Sequence, residues 1–269
     1  MNRKTGMKLV TKIFDNNKIQ NQRQENYNIY RFSVREWLFY VLLGSSCIGL
    51  VSICFYDSYV TFFLFLPLLY PYLKRKQQLL CKKRKHQLER EFREMILSVA
   101  ANLQAGYSVE NAFHEAYKDV VMLYGKESTM AKESYLLLQR LQNNQQLESI
   151  LIDLAKRSGV EDIQDFAEIF GIAKRSGGDI RAVIANSAHI LGEKAEVRRE
   201  IQTIMSEKTL EQKIMRAMPF VFIGYISLTT RGYFNSLYHN LMGIGIMTGC
   251  LLIYVIASRL SDKILDIEI

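Results

Sequence analysis

The residues of this chain that could do chemistry are few and far apart. Protein ligands of zinc and related metals usually recur within a few positions of one another, and the histidines of this chain do not. We interpret each histidine as a solvated or interfacial residue and expect no metal site. The histidines are His86, His114, His189 and His239.

Two short sequences match catalytic motifs only in part. Gly125-Lys126 lacks the upstream glycine of a phosphate-binding loop and is followed by Glu127, where such a loop needs Ser or Thr. Gly177-Gly178-Asp179 is similar to the G-x-G-D motif of intramembrane aspartyl proteases. It lies in a polar helical stretch, however, where we interpret it as a helix stop followed by a cap. We expect no catalytic residue, no bound cofactor and no enzyme activity.

The apolar residues are concentrated in two pairs of runs on either side of a polar stretch. A bilayer core of about 30 Å needs about 20 apolar helical residues. Trp37–Tyr56, Ile214–Thr230 and Leu241–Ser258 meet or approach this length. Tyr59–Leu73 is shorter, so it either crosses with the help of its basic and aromatic flank or is a re-entrant or interfacial segment. We predict a polytopic membrane protein with four transmembrane helices.

These runs contain no acidic residue and no histidine. A proton relay or an ion path needs ionisable carriers inside the membrane. Two alternatives remain open: a membrane enzyme with an unrecognised site, or a transporter or sensor whose helical domain is regulatory. The first needs convergent polar side chains in or near the spans, and the second needs an unbroken polar path through them.

Basic residues flank the runs asymmetrically. Eight lie in residues 1–36 and seven in residues 74–85, whereas residues 57–58 have none and residues 231–240 have one. By the positive-inside rule, both termini and the polar stretch face the cytoplasm of a cell whose inner or plasma membrane holds the chain. The cluster at 74–85 follows a span directly, which favours anionic lipid headgroups over nucleic acid.

The polar stretch, residues 75–213, has the periodicity of helices and no alternating strand pattern. We predict about six helices in an antiparallel cytosolic bundle, because short loops favour antiparallel neighbours. We expect its first and last helices to continue the adjacent apolar runs. The predicted core stripes are Leu88, Phe92, Met95, Ile96, Val99 and Leu103; Val109, Ala112, Phe113 and Ala116; Leu147, Ile150, Leu151, Leu154 and Ala155; Ile163, Phe166, Ile169, Phe170 and Ala173; Ile180, Val183, Ile184 and Leu191.

Two glycine turns punctuate this stretch in a similar way. Gly106 is followed by Ser108, and Gly177-Gly178 is followed by Asp179. Glycine suits a left-handed helix stop, and Ser or Asp suits the cap of the next helix. The two turns are either a faint internal repeat or two ordinary helix–turn–helix units. We interpret these five residues, together with Pro219 in the third run, as structural.

The order of these features resembles the type II secretion system F-domain (GspF-like) family. Within it, the chain is similar to the platform proteins of tight-adherence (Tad/Flp) pilus systems, the TadB/TadC type. The resemblance covers roughly residues 88–258, and larger family members carry two F-domains where this chain has one. The matching positions are Phe92, Leu103-Gln104-Ala105-Gly106-Tyr107-Ser108, Ala112, Phe166, Ala173, Ser176-Gly177-Gly178-Asp179-Ile180 and Pro219.

The resemblance implies a role without catalysis in the bacterial inner membrane. Such proteins partner a paralogous F-domain platform protein, dock on a cytosolic secretion ATPase and convert its motion into extraction of prepilin subunits. We therefore expect an oligomer. Charged helix faces would supply the docking surface, although a merely solvated face has the same composition. The candidate docking residues are Arg90, Arg93, Arg198 and Arg199.

The predicted division of the chain follows from these assignments. It consists of a basic cytoplasmic arm (1–36), a transmembrane hairpin (37–73), the helical domain (74–213), a second transmembrane hairpin (214–258) and a cytoplasmic tail (259–269).

Overall fold

A computed structural model describes residues 27–28, 32–56, 59–230 and 240–265. Within these ranges the fold is all-α, as predicted, with no β-strand. Most of the arm and both hairpin linkers lie outside the described residues. The helices are α1 (Val34–Tyr56), α2 (Tyr59–Phe65), α3 (Leu69–Gln104), α4 (Val109–Tyr124), α5 (Thr129–Gln142), α6 (Leu147–Ser158), α7 (Glu161–Ser176), α8 (Ile180–Thr229) and α9 (Leu241–Leu265), with a 3-10 turn at Leu66–Leu68.

The chain divides into two compact units. Among the described residues, the helical unit comprises 27–28 and Cys81–Ala188, and the apolar unit comprises 32–56, 59–80, 189–230 and 240–265. Both α3 and α8 contribute residues to each unit. The expectation that the polar stretch continues helically into the second and third apolar runs is therefore confirmed.

Most of the predicted stripe residues lie in the core of the helical unit, whereas Val109, Ile180 and Val183 are only half-buried. The whole stripe of α3 is buried, and Phe92 on α3 packs edge-on against Phe166 on α7 with ring centroids 5.5 Å apart. The predicted stripe of α6 is likewise buried along its full length. Burial of a large apolar side chain stabilises by about 1.5–3 kcal/mol, so this packing is the main favourable contribution to the unit.

The prediction that Ile169 of α7 lies in the core is wrong. Ile169 is 45% exposed, because the buried face of α7 is rotated towards α6. Ala167 and Gly171 occupy that face instead. A Cβ atom at Gly171 would lie 3.0 Å from Glu148 Oε1 of α6. The close approach of the two helices therefore selects small residues and leaves the isoleucine outside.

The first pair of apolar runs packs as an antiparallel hairpin within the apolar unit. The rings of Tyr56 and Phe65, near the turn of the hairpin, have centroids 6.0 Å apart. Farther from the turn, a Cβ atom at Gly44 would lie 3.2 Å from the Tyr72 ring. Pro67 is the second residue of the 3-10 turn that interrupts the short second run.

The second pair of apolar runs also pairs residues in antiparallel order. Phe220 on α8 packs edge-on against Tyr254 on α9, with centroids 5.6 Å apart. Arg216 forms an ion pair with Asp262, and its backbone carbonyl accepts a hydrogen bond of 3.0 Å from the Tyr254 hydroxyl. Phe55 at the end of α1 packs on Phe220, with ring centroids 6.0 Å apart, which connects the two pairs of runs.

Among the described residues, two helical segments are long and apolar enough to cross a membrane. They are Val34–Ile53 in α1 and Met242–Ile264 in α9. Only 11% of each segment is buried within the protein, so most of its apolar surface faces outward. These two segments are the structural support for membrane association.

Candidate functional site

The first glycine turn ends α3 and begins α4. Gly106 has a φ of +95°, and the N–H of Tyr107 donates to the Asn102 carbonyl at 3.1 Å. Ser108 is the N-cap of α4, and its Oγ accepts from the Asn111 N–H at 3.4 Å. This arrangement satisfies helix-end groups that would otherwise lack partners.

The second glycine turn repeats this construction between α7 and α8. Gly177 has a φ of +69°, and the N–H of Gly178 donates to the Ala173 carbonyl at 2.9 Å. Asp179 Oδ1 accepts from the N–H groups of Arg181 and Ala182, at 2.9 and 3.3 Å. In both turns the N–H after the glycine reaches the carbonyl five positions back. This shared hydrogen bond agrees with an internal repeat. It agrees equally with two ordinary helix–turn–helix units, because any two glycine-capped helix ends can form it.

The candidate docking arginines fall into two separate pairs. Arg90 is exposed on α3, whereas Arg93 is largely buried and pairs with Glu94 at 2.6 Å; both belong to the helical unit. Arg198 and Arg199 lie on α8 in the apolar unit, and Arg199 is exposed. Pro219 lies inside the same helix.

The helical unit also contains a network of charged side chains that was not singled out from the sequence. Arg157 on α6 donates to both carboxylate oxygens of Glu133 on α5, each at 2.8 Å, and to Asp153 at 3.2 Å. Arg140 also donates to Asp153, at 2.7 Å. The side chains of Glu133 and Arg157 are 4% and 13% exposed. The geometry is that of a bidentate pair held away from water.

The network shifts the pKa values of two of its members. Burial alone lowers the pKa of Arg157, but the hydrogen bond and charge of Glu133 and the charge of Asp153 outweigh it and raise the pKa. Burial alone raises the pKa of Asp153, but the hydrogen bond from Arg140 and the charges of both arginines bring it below its usual range. Both groups therefore stay charged at neutral pH, which suits a fixed ion pair and not proton transfer.

A second buried acid connects α3 to α5. Glu91 is 1% exposed, and its Oε2 accepts from the Met130 N–H at 2.7 Å. Its Oε1 accepts from Gln87 Nε2 at 2.9 Å. Met130 lies in the first turn of α5, where backbone N–H groups and the helix dipole favour a carboxylate. Glu91 therefore caps α5 together with Ser128, whose Oγ accepts from the Ala131 N–H at 3.2 Å.

No cluster of three or more His, Cys, Asp or Glu side chains that could hold a metal ion occurs among the described residues. No protein-family model, curated protein or solved structure matches the chain. The functional interpretation therefore depends on the resemblance in sequence and on the physical character of the two units.

Proposed function

We propose that this chain is a non-catalytic inner-membrane platform protein of a type II secretion or Tad pilus machine. In this role it couples a cytosolic secretion ATPase to the extraction and assembly of prepilin subunits, alongside a paralogous F-domain platform protein. The observation that carries the proposal is the order of features along the chain. Two similarly built glycine turns, Gly106–Ser108 and Gly177–Asp179, lie in a helical region between two apolar pairs.

The proposed topology has four membrane-spanning helices with both termini and the antiparallel helical bundle in the cytoplasm. Two observations on the apolar unit support it. Arg216 and Asp262 pair at one end of the second antiparallel pair, which suits a common position at the membrane surface. In the first pair, Tyr56 and Phe65 meet near the turn while Gly44 and Tyr72 meet farther from it.

The basic cluster at 74–85 is proposed to contact anionic lipid headgroups. It follows Leu73 along the helix α3, at the position where the proposed second span ends. Each basic residue near an anionic membrane surface contributes about 1 kcal/mol to binding. Replacing the exposed Lys74, Arg75, Lys82 and Lys83 by Gln would then weaken association with anionic vesicles more than with neutral ones.

Co-purification with the secretion ATPase tests the central proposal. The full-length chain in detergent is expected to retain the secretion ATPase of the same cell and to change its rate of ATP hydrolysis, while hydrolysing none itself. If neither retention nor a rate change occurs in detergent or in lipid nanodiscs, the platform proposal is wrong.

The docking surface is tested by charge reversal on each arginine pair separately. We expect Arg90→Glu with Arg93→Glu, or Arg198→Glu with Arg199→Glu, to weaken ATPase retention while leaving the helix content unchanged. Lys174→Glu, at the exposed end of α7, is the matched control. If all three variants retained the ATPase equally, these arginines would be excluded as docking residues.

A further inference from the structure

A dipeptide from the N-terminal segment, Tyr27-Asn28, is bound in a pocket of the helical unit. The Tyr27 side chain is 2% exposed, and its hydroxyl donates to Glu133 Oε1 at 2.8 Å. The guanidinium of Arg84 lies over its ring, 4.9 Å from the centroid. The pocket therefore recognises both the phenol hydroxyl and the aromatic face, which a phenylalanine or an aliphatic residue could satisfy only in part.

The pocket also recognises the backbone of the dipeptide. The Tyr27 N–H donates to the Arg157 carbonyl at 3.1 Å. That carbonyl lies in the last turn of α6, where backbone acceptors have no partner within the helix. The Cys81 thiol donates to the carbonyls of Tyr27 and Asn28, at 3.2 and 3.5 Å. Both backbone groups of Tyr27, its N–H and its carbonyl, therefore have a hydrogen-bond partner in the pocket.

The second side chain of the dipeptide is bound as well. Lys85 Nζ donates to Asn28 Oδ1 at 2.6 Å and to the Gly159 carbonyl at 3.2 Å. Gly159 has a φ of +58°, and a Cβ atom there would lie 2.2 Å from Asn28 Oδ1. Glycine at this position therefore permits both the left-handed end of α6 and the close approach of the asparagine.

These contacts are those of a receptor for a short peptide. The described partners named above are at least 53 positions away from the dipeptide in sequence, so these contacts are tertiary and non-covalent, as those of a separate ligand would be. We propose that the helical unit carries a binding site for a Tyr–Asn peptide segment, which the chain's own N-terminal segment occupies in exchangeable fashion. This inference does not depend on the platform function.

The Cys81 thiol provides the measurement. In full-length protein with Cys47→Ala, Cys54→Ala and Cys250→Ala, only Cys81 reacts with a maleimide, and the bound dipeptide covers it. Loss of a hydrogen bond to a buried charged group corresponds to about a tenfold shift in an equilibrium. We expect Tyr27→Phe to speed labelling about tenfold and Tyr27→Ala to speed it further.

Exchange is tested by adding the site's ligand back. A synthetic peptide of residues 23–31 is expected to slow Cys81 labelling again in both Tyr27 variants, whereas the same peptide with alanine in place of tyrosine is not. Tyr107→Ala, which changes an exposed tyrosine, is expected to label at the parental rate. Circular dichroism measures whether each variant is folded. If Tyr27→Ala does not fold, the test depends on Tyr27→Phe alone.

Two results would overturn the proposal. Equal labelling rates in the parent and both Tyr27 variants would mean that the dipeptide does not occupy the pocket in solution. Faster labelling without protection by the tyrosine peptide would mean that Tyr27 is a fixed part of the fold and that the pocket is not an exchangeable peptide site.

Discussion

Arg157 and Glu133 form a bidentate ion pair between α6 and α5, with both hydrogen bonds at 2.8 Å. The pair also underlies the Tyr27 pocket, because Glu133 accepts from the tyrosine hydroxyl and the Arg157 carbonyl accepts from the tyrosine N–H. One interhelical contact therefore supports the packing of α5 on α6 and the binding of the N-terminal segment.

Removing one member of this pair is expected to be costly. Arg157→Ala leaves the buried Glu133 carboxylate without its guanidinium, and breaking a buried pair in this way costs about 3–5 kcal/mol. Thermal or urea unfolding of the full-length protein in detergent, followed by circular dichroism, measures the loss. Glu127→Ala, which removes an exposed ion pair with Lys132, is expected to leave the unfolding midpoint unchanged. Similar midpoints for the two variants would contradict the prediction.

Acid is expected to weaken the same region through Asp153. Its pKa is lower in the folded protein than in the unfolded chain, so its contribution to stability is present above the unfolded pKa of about 3.9 and is lost as the pH falls towards the folded value. Asp153→Asn should therefore flatten the decline of the unfolding midpoint below about pH 4. Asp165→Asn, on the exposed face of α7, should leave the decline as steep as in the parent.

The cap that Glu91 supplies should be visible in amide exchange. Glu91→Ala leaves the Met130 N–H buried without an acceptor, which costs about 1–3 kcal/mol. We expect faster hydrogen exchange in the first turn of α5, with Glu91→Gln intermediate because its amide oxygen still accepts. Glu110→Ala, at the exposed start of α4, serves as the control. Unchanged exchange at Met130 in the alanine variant would show that the capping bond is unimportant.

Three of the four glycines that have a positive φ among the described residues should respond differently to alanine. Gly106 and Gly177 have no other atom within 4 Å of an added Cβ, so alanine there meets only backbone strain of about 1–2 kcal/mol. Gly159→Ala carries the same strain and also displaces Asn28 and Lys85. We expect the lowest unfolding midpoint and faster Cys81 labelling for Gly159→Ala alone. Accelerated labelling in all three variants would mean that general destabilisation, and not the pocket, controls the thiol.

Local patterns in the sequence predict the helices and much of their buried surface. The stripe of α3 is an example, because the spacing of its apolar residues determines which side of the helix is buried. The caps at Ser108 and Asp179 are equally local, since each cap bonds N–H groups two or three positions ahead.

The polar contacts between helices could not be predicted in the same way. Glu91 and Met130 are 39 positions apart, and Tyr27 and Glu133 are 106 positions apart. In the sequence, Glu91 has the pattern of any charged helix residue. Its burial depends on where α5 begins relative to α3, which helical periodicity alone does not specify.

The two long-range bonds of Glu91 and Tyr27 form after waits of different length on a chain that is made from its N-terminus, because in each bond the earlier residue emerges first. The carboxylate that caps α5 leaves the ribosome before α5 does, so its partner helix can be stabilised as soon as it emerges. Tyr27 waits longer, because Glu133 follows it by 106 residues, whereas Met130 follows Glu91 by 39. At about 5–20 residues per second, that wait lasts roughly 5–20 seconds, during which the N-terminal segment is available to chaperones and proteases.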